Sequence, residues 1–177
     1  MRILVAGIGN IFMGDDAFGC EAAAALAHGR LPAGVRVEDF GIRAYDLAYA
    51  IMEEWDAVIL LDALPRGEPP GTVTLLEPDC LEVSQGEPDA HSMNPMTALQ
   101  MVRALGGEVR RLYVVGCEPS ILETEELGLS APVSAAVPGA VAMVESLVRE
   151  LMETRERETR ENVAAAEIQA KCALEKS

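Results

Sequence analysis

Short apolar runs, separated by polar and glycine-rich segments, are the main pattern of the chain. Residues 3–6 form one such run, which ends at Gly7, and residues 57–61 form another, which ends at Asp62. Continuous apolar runs of this length are typical of strands that are buried on both faces of a parallel sheet. The second run is the more apolar, so we expect it at the centre of the sheet.

Further strands are predicted over residues 35–39, 72–75 and 112–115, where the pattern is alternating or briefly apolar. The connection that leads to residues 72–75 is rich in proline and glycine and is too short for a crossover helix. We therefore expect that strand to be antiparallel to its neighbour and to lie at an edge of the sheet.

Helical patterns alternate with these strands. They predict helices over residues 15–27, through Leu47 and Ile51, from Pro95 to a point before Gly106, and over residues 132–151. Pro138 is expected to kink or divide the last helix, because proline lacks the N–H that a helix interior needs. Helices that alternate with mostly parallel strands predict an α/β domain of three layers.

The last part of the chain differs from the rest. Residues 153–177 begin with a run of mixed glutamate and arginine, which supports a solvated helix. We expect an α/β domain over residues 1–152, followed by a charged extension, helical or disordered, without a chemical role. A helix that binds a partner is the alternative.

Composition limits the possible functions. The 177 residues carry a formal net charge of −15, which makes nucleic acid and anionic membranes poor partners. The four cysteines are far apart and form no CxxC pair, so neither a disulfide framework nor a thiolate zinc site is expected. We see no signal-peptide pattern and no apolar stretch long enough to span a bilayer. A soluble, cytoplasmic protein is the simplest interpretation.

The glycine-rich loop after the first strand resembles a nucleotide-binding loop but lacks its chemistry. Phe12 occupies the position where the dinucleotide fingerprint has its third glycine, and Asp15-Asp16 replaces the Lys-Ser/Thr pair of a P-loop. Two carboxylates at a helix start would repel a bound phosphate. We expect one of them to cap the helix and the other to project over the sheet edge.

Asp16, Asp62 and His91 are the candidate site residues at that edge. Open α/β sheets bind ligands where the carboxyl ends of their strands meet, and His91 precedes the helix at Pro95 on a loop that could reach this edge. Two carboxylates and one imidazole suit a divalent ion of the nickel, zinc or manganese type, which would polarise a peptide carbonyl or activate water. A carboxylate pair that shares a proton is the metal-free alternative.

Several segments resemble the nickel–iron hydrogenase maturation endopeptidases. Residues 1–10, which end in Gly9-Asn10, and residues 14–19, which contain Asp15-Asp16, are similar to the family's opening signature. The later segments that match in order, up to about residue 150, are residues 58–63, 89–92, 114–119 and 128–130.

The resemblance implies a three-layer α/β/α sandwich with a twisted, mostly parallel five-stranded sheet. It also implies a single cut that removes the C-terminal extension of the hydrogenase large-subunit precursor after nickel insertion. Asp16, Asp62 and His91 would then contact nickel carried by the substrate, or another divalent ion, and the two aspartates would be catalytic. Candidate substrate-binding residues are Asn10, Asp39 and Arg43, although a strand-end cap and a surface salt bridge explain the last two equally well. A non-catalytic, metal-sensing chaperone for the same precursor is the alternative function.

Overall fold

The computed structural model describes residues 1–78, 95–122 and 127–174, with side chains up to residue 165. The strands are β1 (Ile3–Ile8), β2 (Val35–Gly41), β3 (Ala57–Ala63), β4 (Val73–Leu76) and β5 (Leu112–Cys117). In the described residues, they form one five-stranded sheet with the order β2-β1-β3-β5-β4, in which only β4 is antiparallel. The predicted central strand, β3, is the middle strand, and β4 is the predicted antiparallel edge strand.

Helices cover both faces of this sheet, which confirms the predicted three-layer α/β/α fold. The first helix is preceded by a single 3₁₀ turn, Gly14–Ala17. The helices are α1 (Phe18–Ala27), α2 (Ala44–Met52), α3 (Pro95–Ala104) and α4 (Ala131–Leu174). Helices α1 and α4 pack on one face of the sheet, and α2 and α3 pack on the other.

Alternate residues of the central strands fill the two cores. In β1, Ile3 and Val5 face α1 and α4, whereas Leu4 and Ala6 face α2 and α3. All four are fully buried, as the continuous apolar run predicts. Each buried Leu, Ile or Val side chain stabilises the fold by roughly 1.5–3 kcal/mol relative to an exposed one, so aliphatic residues can hold this aromatic-poor core together.

Two glycines let α1 lie directly against the strands. A Cβ atom on Gly7 would lie 2.5 Å from the carbonyl oxygen of Gly19, and one on Gly19 would lie 2.1 Å from the carbonyl oxygen of Leu61. Neither contact leaves room for a side chain. The glycines at these positions are therefore needed for close packing of helix on sheet.

Helix α4 differs from its prediction in two ways. It is continuous through Pro138, and it extends to Leu174 rather than ending near residue 151. Val133 and Ala140, on either side of the proline, are both fully buried against the same sheet face, so their packing holds the helix together across the lost hydrogen bond. The charged run after residue 152 is therefore helical as far as Leu174, while the division into domain and extension stays a prediction.

The part of α4 from Ala131 to Ala165 has the length and apolar composition that a membrane span requires, with a mean hydropathy of 1.5 in its most apolar window. Val144 and Val148 in this part are fully buried against the sheet. The apolar composition of the helix is therefore explained in part by its packing in the protein core. The absence of membrane insertion stays a prediction.

Candidate active site at the carboxyl edge of the sheet

The sheet brings two of the predicted site residues to one edge. Asp62 is the penultimate residue of β3, where it pairs with Gly116 of β5. The neighbouring strand β1 ends at Ile8, and the chain then leads through Asn10 to the 3₁₀ turn that carries Asp16. Because β1, β3 and β5 are parallel, these segments meet at their carboxyl ends, where α/β proteins place their ligands.

Asp16 is partly exposed and is fixed by its own loop. Its carboxylate accepts a hydrogen bond of 2.7 Å from the backbone N–H of Asn10. The backbone of Gly9 passes so close that a Cβ atom there would lie 1.7 Å from the carbonyl oxygen of Asp16. Gly9 also has a φ of +130°, which L side chains rarely adopt. The glycine of the Gly9-Asn10 segment thus sets the position of Asp16.

Asp62 has the most perturbed carboxyl group among those described. Burial and the negative charge of Asp16 together raise its pKa to about 7, although a hydrogen bond from the Ala63 backbone acts in the opposite direction. The effect of Asp16 shows that the two carboxyl groups are close enough to interact. A carboxyl group that titrates near neutral pH can both accept and donate a proton, as general acid–base catalysis requires.

The third predicted ligand, His91, lies outside the described residues. Among the residues that the structure does describe, no group of three or more His, Cys, Asp or Glu side chains is placed to hold a metal ion. Asp16 and Asp62 are the two predicted site residues that the structure describes, and their carboxyl groups interact electrostatically. The metal site with His91 stays a prediction.

The candidate substrate-binding residues have local partners. The side-chain oxygen of Asn10 accepts a 3.0 Å hydrogen bond from the Phe12 N–H. Asp39 accepts one of 2.9 Å from the Gly41 N–H. Arg43 donates to the backbone carbonyl groups of Phe40 and Asp39 and forms an ion pair of 3.6 Å with Asp46. Asp39 and Arg43 therefore shape the turn after β2, and their contact with a substrate stays a prediction.

Cys20 is buried in the same part of the molecule as Asp16, Asp39 and Asp62, which the sequence did not indicate. Its buried thiol donates to the carbonyl oxygen of Gly9 at 3.4 Å. Burial, a hydrogen bond with Asp39 and the negative charges of Asp39, Asp16 and Asp62 together raise the pKa of Cys20 to about 12. The thiol is therefore neutral at physiological pH and is not a nucleophile. The charges of all three aspartates act on this one thiol, which places them in the same part of the molecule.

Asp15 has a different role from the helix cap that was expected for one of the two acids. Ala17 is the N-cap of α1, and no side chain caps the helix there. The Asp15 carboxylate instead accepts four hydrogen bonds, from the N–H groups of Ser120 (2.7 Å), Ile121 (3.2 Å) and Ser130 (2.7 Å) and from the Ser130 hydroxyl (2.9 Å). The 3₁₀ turn aims Asp15 at these donors and away from the helix start.

The electrostatics of Asp15 follow from those partners. Burial alone would raise its pKa, but the hydrogen bonds from Ser130, Ser120 and Ile121 outweigh burial, and the pKa lies below the usual 3.8. Asp15 is thus an ionised, saturated carboxylate that connects three segments of the chain. Two of these segments, residues 14–19 and 128–130, carry the family resemblance. The third, with Ser120 and Ile121, directly follows another resembling segment, residues 114–119.

Glu118 is a second structural acid at this edge, and the sequence did not predict its role either. Its carboxylate accepts hydrogen bonds from the N–H groups of Arg66 (2.7 Å) and Gly67 (3.2 Å). Burial would raise the pKa of Glu118, but these backbone hydrogen bonds and one from Glu68 lower it. Glu118 therefore holds the connection between β3 and β4 against the end of β5.

Comparisons with known proteins identify relatives of this chain in sequence and in fold. The family model described as hydrogenase maturation protease (HycI) matches residues 20–147. The chain belongs to the hydrogenase maturation protease family. It is 33% identical over 146 residues to a putative hydrogenase maturation protease of Methanocaldococcus jannaschii, which covers 80% of this chain and 93% of that protein.

Two further similarities cover most of the chain. The hydrogenase expression/formation protein HupD of Rhizobium leguminosarum is 33% identical over 151 residues, covering 84% of this chain and 74% of that protein. The solved structure of the hydrogenase maturating endopeptidase HybD from Escherichia coli superposes with a TM-score of 0.72 at 32% identity, covering 85% of this chain and 93% of that one. The predicted family, fold and peptidase activity are therefore confirmed.

Proposed function

We propose that this peptidase removes the C-terminal extension of a nickel-loaded hydrogenase large-subunit precursor by hydrolysing one peptide bond. The observation that carries the proposal is the pair formed by Asp16 and Asp62, in which the pKa of Asp62 is raised to about 7. Membership of the hydrogenase maturation protease family supports the substrate. The acidic chain, with a net charge of −15, favours a protein partner over nucleic acid. We place the reaction in the cytoplasm.

Nickel belongs to the substrate in this proposal. Asp16, Asp62 and His91 would contact the ion that the precursor already carries, and two carboxylates with one imidazole suit nickel or a similar divalent ion. A carboxyl group must lose its proton to bind an ion, and the positive charge of the ion would favour the ionised form of Asp62, whose pKa is otherwise raised to about 7. The site would thus distinguish a loaded precursor from an empty one.

A carboxylate pair that shares a proton is the alternative to direct contact with the ion, and it would supply the proton chemistry of an aspartic-type hydrolysis. The two carboxyl groups interact, so they share protons as a unit. In its singly protonated form, the pair can accept a proton from the attacking water and return one to the leaving amine. Such chemistry requires both Asp16 and Asp62 at the edge that faces the precursor.

The test is a cleavage assay with purified precursor in its nickel-loaded and nickel-free forms. We expect the mass of the loaded form alone to fall by that of the extension, and Asp16→Ala and His91→Ala to abolish this change while the protein stays folded. An unchanged mass of the loaded precursor with wild-type protein would instead favour a metal-sensing chaperone. Full cleavage by both variants would contradict the site.

A further inference from the structure

Three consecutive large apolar side chains are exposed beside the carboxylate pair. The loop between β1 and the 3₁₀ turn presents Ile11, Phe12 and Met13, and the exposed fractions of the first two are 50% and 66%. Isolated exposed apolar residues are ordinary, but a contiguous group marks an interaction surface. This group lies between Asn10 and Gly14, within one short loop of Asp16.

The neighbouring connections add to the same surface. Ile42 and Tyr45 follow β2, and Ile121 follows β5, and all three are exposed. The loops lie side by side, because the Gly9 N–H donates to the Gly41 carbonyl oxygen at 3.1 Å and the Ile121 N–H donates to Asp15. We name this surface the apolar rim: Ile11, Phe12, Met13, Ile42, Tyr45 and Ile121.

The first loop of the rim is held in one conformation. The Phe12 N–H donates to the Asn10 side chain at 3.0 Å, the Met13 N–H donates to the Asn10 carbonyl oxygen at 3.0 Å, and the Asn10 N–H donates to Asp16 at 2.7 Å. A loop that is ordered before binding loses little conformational entropy when a partner arrives. The same hydrogen bonds connect the exposed side chains to the candidate active site.

We propose that the apolar rim binds an apolar stretch of the precursor polypeptide next to the bond that is cut. The inference rests on the proposed function, because it takes the substrate to be that precursor. The first loop of the rim is hydrogen-bonded to Asp16 through the Asn10 N–H, so a polypeptide whose scissile bond lies at Asp16 and Asp62 would pass beside it. Large aromatic and aliphatic side chains are those that dominate the binding energy of protein interfaces.

Charge argues against two other occupants of the rim. Asp16 follows the first loop of the rim, Asp39 lies near the end of β2 before Ile42, and Asp62 lies near the end of β3. An anionic lipid surface would face these carboxylates and be repelled. A second copy of the chain, in a two-fold interface, would place the same carboxylates opposite each other. A polypeptide segment without acidic residues meets neither penalty.

The test is a binding titration with the nickel-loaded precursor, in parallel with the cleavage assay. The double variant Ile11→Ser/Phe12→Ser should raise the Kd for the precursor by roughly 10-fold or more, since truncated interface anchors cost at least this much. Both side chains are exposed, so the melting temperature should not change. Leu105→Ser is the matched control: its exposed fraction is 53%, it follows α3 at the opposite edge of the sheet, and its Kd should equal that of the wild type.

The outcomes separate this inference from the proposed function. Cleavage by the wild type with an unchanged Kd for the double variant would overturn the rim and leave the function intact. A weakened Kd without any cleavage would overturn the function and leave the rim intact. A concentration-dependent dimer that the double variant abolishes, or binding to anionic vesicles that it abolishes, would also overturn the rim as a precursor site.

Discussion

Two adjacent aspartates at the sheet edge belong to regions with opposite physical character. Asp15 is buried and joins the loop after β5 to the start of α4 through four hydrogen bonds. Asp16, one residue later, is partly exposed and accepts a hydrogen bond from the Asn10 N–H. Its negative charge helps to raise the pKa of Asp62. We call the first region the Asp15 clamp (Asp15, Ser120, Ile121, Ser130) and the second the Asp16–Asp62 pair.

The difference teaches that the supply of N–H donors, set against the effect of burial, separates a structural acid from a functional one. The clamp gives Asp15 enough donors to hold its pKa below 3.8 in spite of burial. Asp62 is buried beside a like-charged neighbour and has a single backbone donor, so burial and the charge of Asp16 raise its pKa to about 7. A saturated carboxylate has nothing left to offer a substrate, whereas an unsatisfied one does.

The largest expected effect is on activity at the pair. Asp16→Asn and Asp62→Asn should each slow cleavage of the nickel-loaded precursor by roughly 100-fold or more, because each removes one member of the proton-transferring pair. Initial rates followed by mass spectrometry measure this loss. Neither variant should lower the free energy of unfolding by more than about 1 kcal/mol, since each amide keeps an oxygen acceptor. A variant that cleaves at the wild-type rate would contradict the assignment.

The next largest effect is on stability at the clamp. Asp15→Asn replaces one carboxylate oxygen with an N–H₂ group, which then faces backbone donors in a buried site. We expect the free energy of unfolding to fall by about 2–3 kcal/mol, as measured by denaturant titration. Asp46→Asn is the control, because Asp46 is an exposed acid with a weak ion pair, and its effect should stay within about 0.5 kcal/mol. Equal effects of the two substitutions would remove the distinction between the regions.

The two regions should also respond to pH with opposite sign. The pKa of Asp15 is lowered on folding, so its stabilisation is complete above the usual 3.8 and is lost as the pH falls below it. The pKa of Asp62 is raised to about 7, so the unfolded protein loses this proton first and stability declines as the pH rises from 3.8 to about 7.

Asp62→Asn should abolish that decline and raise the free energy of unfolding above pH 7 by on the order of 2 kcal/mol. Unfolding curves across this pH range, recorded with a chelator present, measure the effect. A parallel pH dependence in the wild type and Asp62→Asn would contradict the raised pKa.

The smallest effect belongs to a single bond of the clamp. Ser130→Ala removes the hydroxyl group that donates to Asp15 at 2.9 Å but keeps the backbone donor. The free energy of unfolding should therefore fall by about 1 kcal/mol, less than for Asp15→Asn. In the Asp15→Asn background, Ser130→Ala should have a smaller effect than alone, because its partner has already been changed. Additive losses would mean that Ser130 acts elsewhere.

The sheet and its edge were predictable because they depend on local patterns. The apolar run before Asp62 predicted the central strand, and the proline- and glycine-rich connection predicted the antiparallel β4. Asp62 then had to lie at the carboxyl edge, beside the loop that carries Asp16. The roles of Asp15 and Asp16 were not predictable in the same way, because the donors to Asp15 come from residues 105 to 115 positions away in the chain.

Two other differences have the same origin in tertiary contacts. Pro138 predicted a kink or a division of α4, and the helix is not divided there, because buried residues on both sides of Pro138 hold it together. The sequence around Cys20, in the first turn of α1, did not indicate that three aspartates would act on its thiol. Only folding brings Asp39 and Asp62 near it. Local pattern predicts elements, and the partners of each polar group depend on the fold.

The most direct test of the contrast is a carboxyl-carbon NMR titration of the metal-free protein, with the aspartates assigned by substitution. Asp62 should titrate near pH 7, and its midpoint should fall in Asp16→Asn, while Asp15 should titrate below 3.8. A midpoint for Asp62 at or below 3.8, alongside Asp15, would contradict the claim that the two regions differ in their electrostatics.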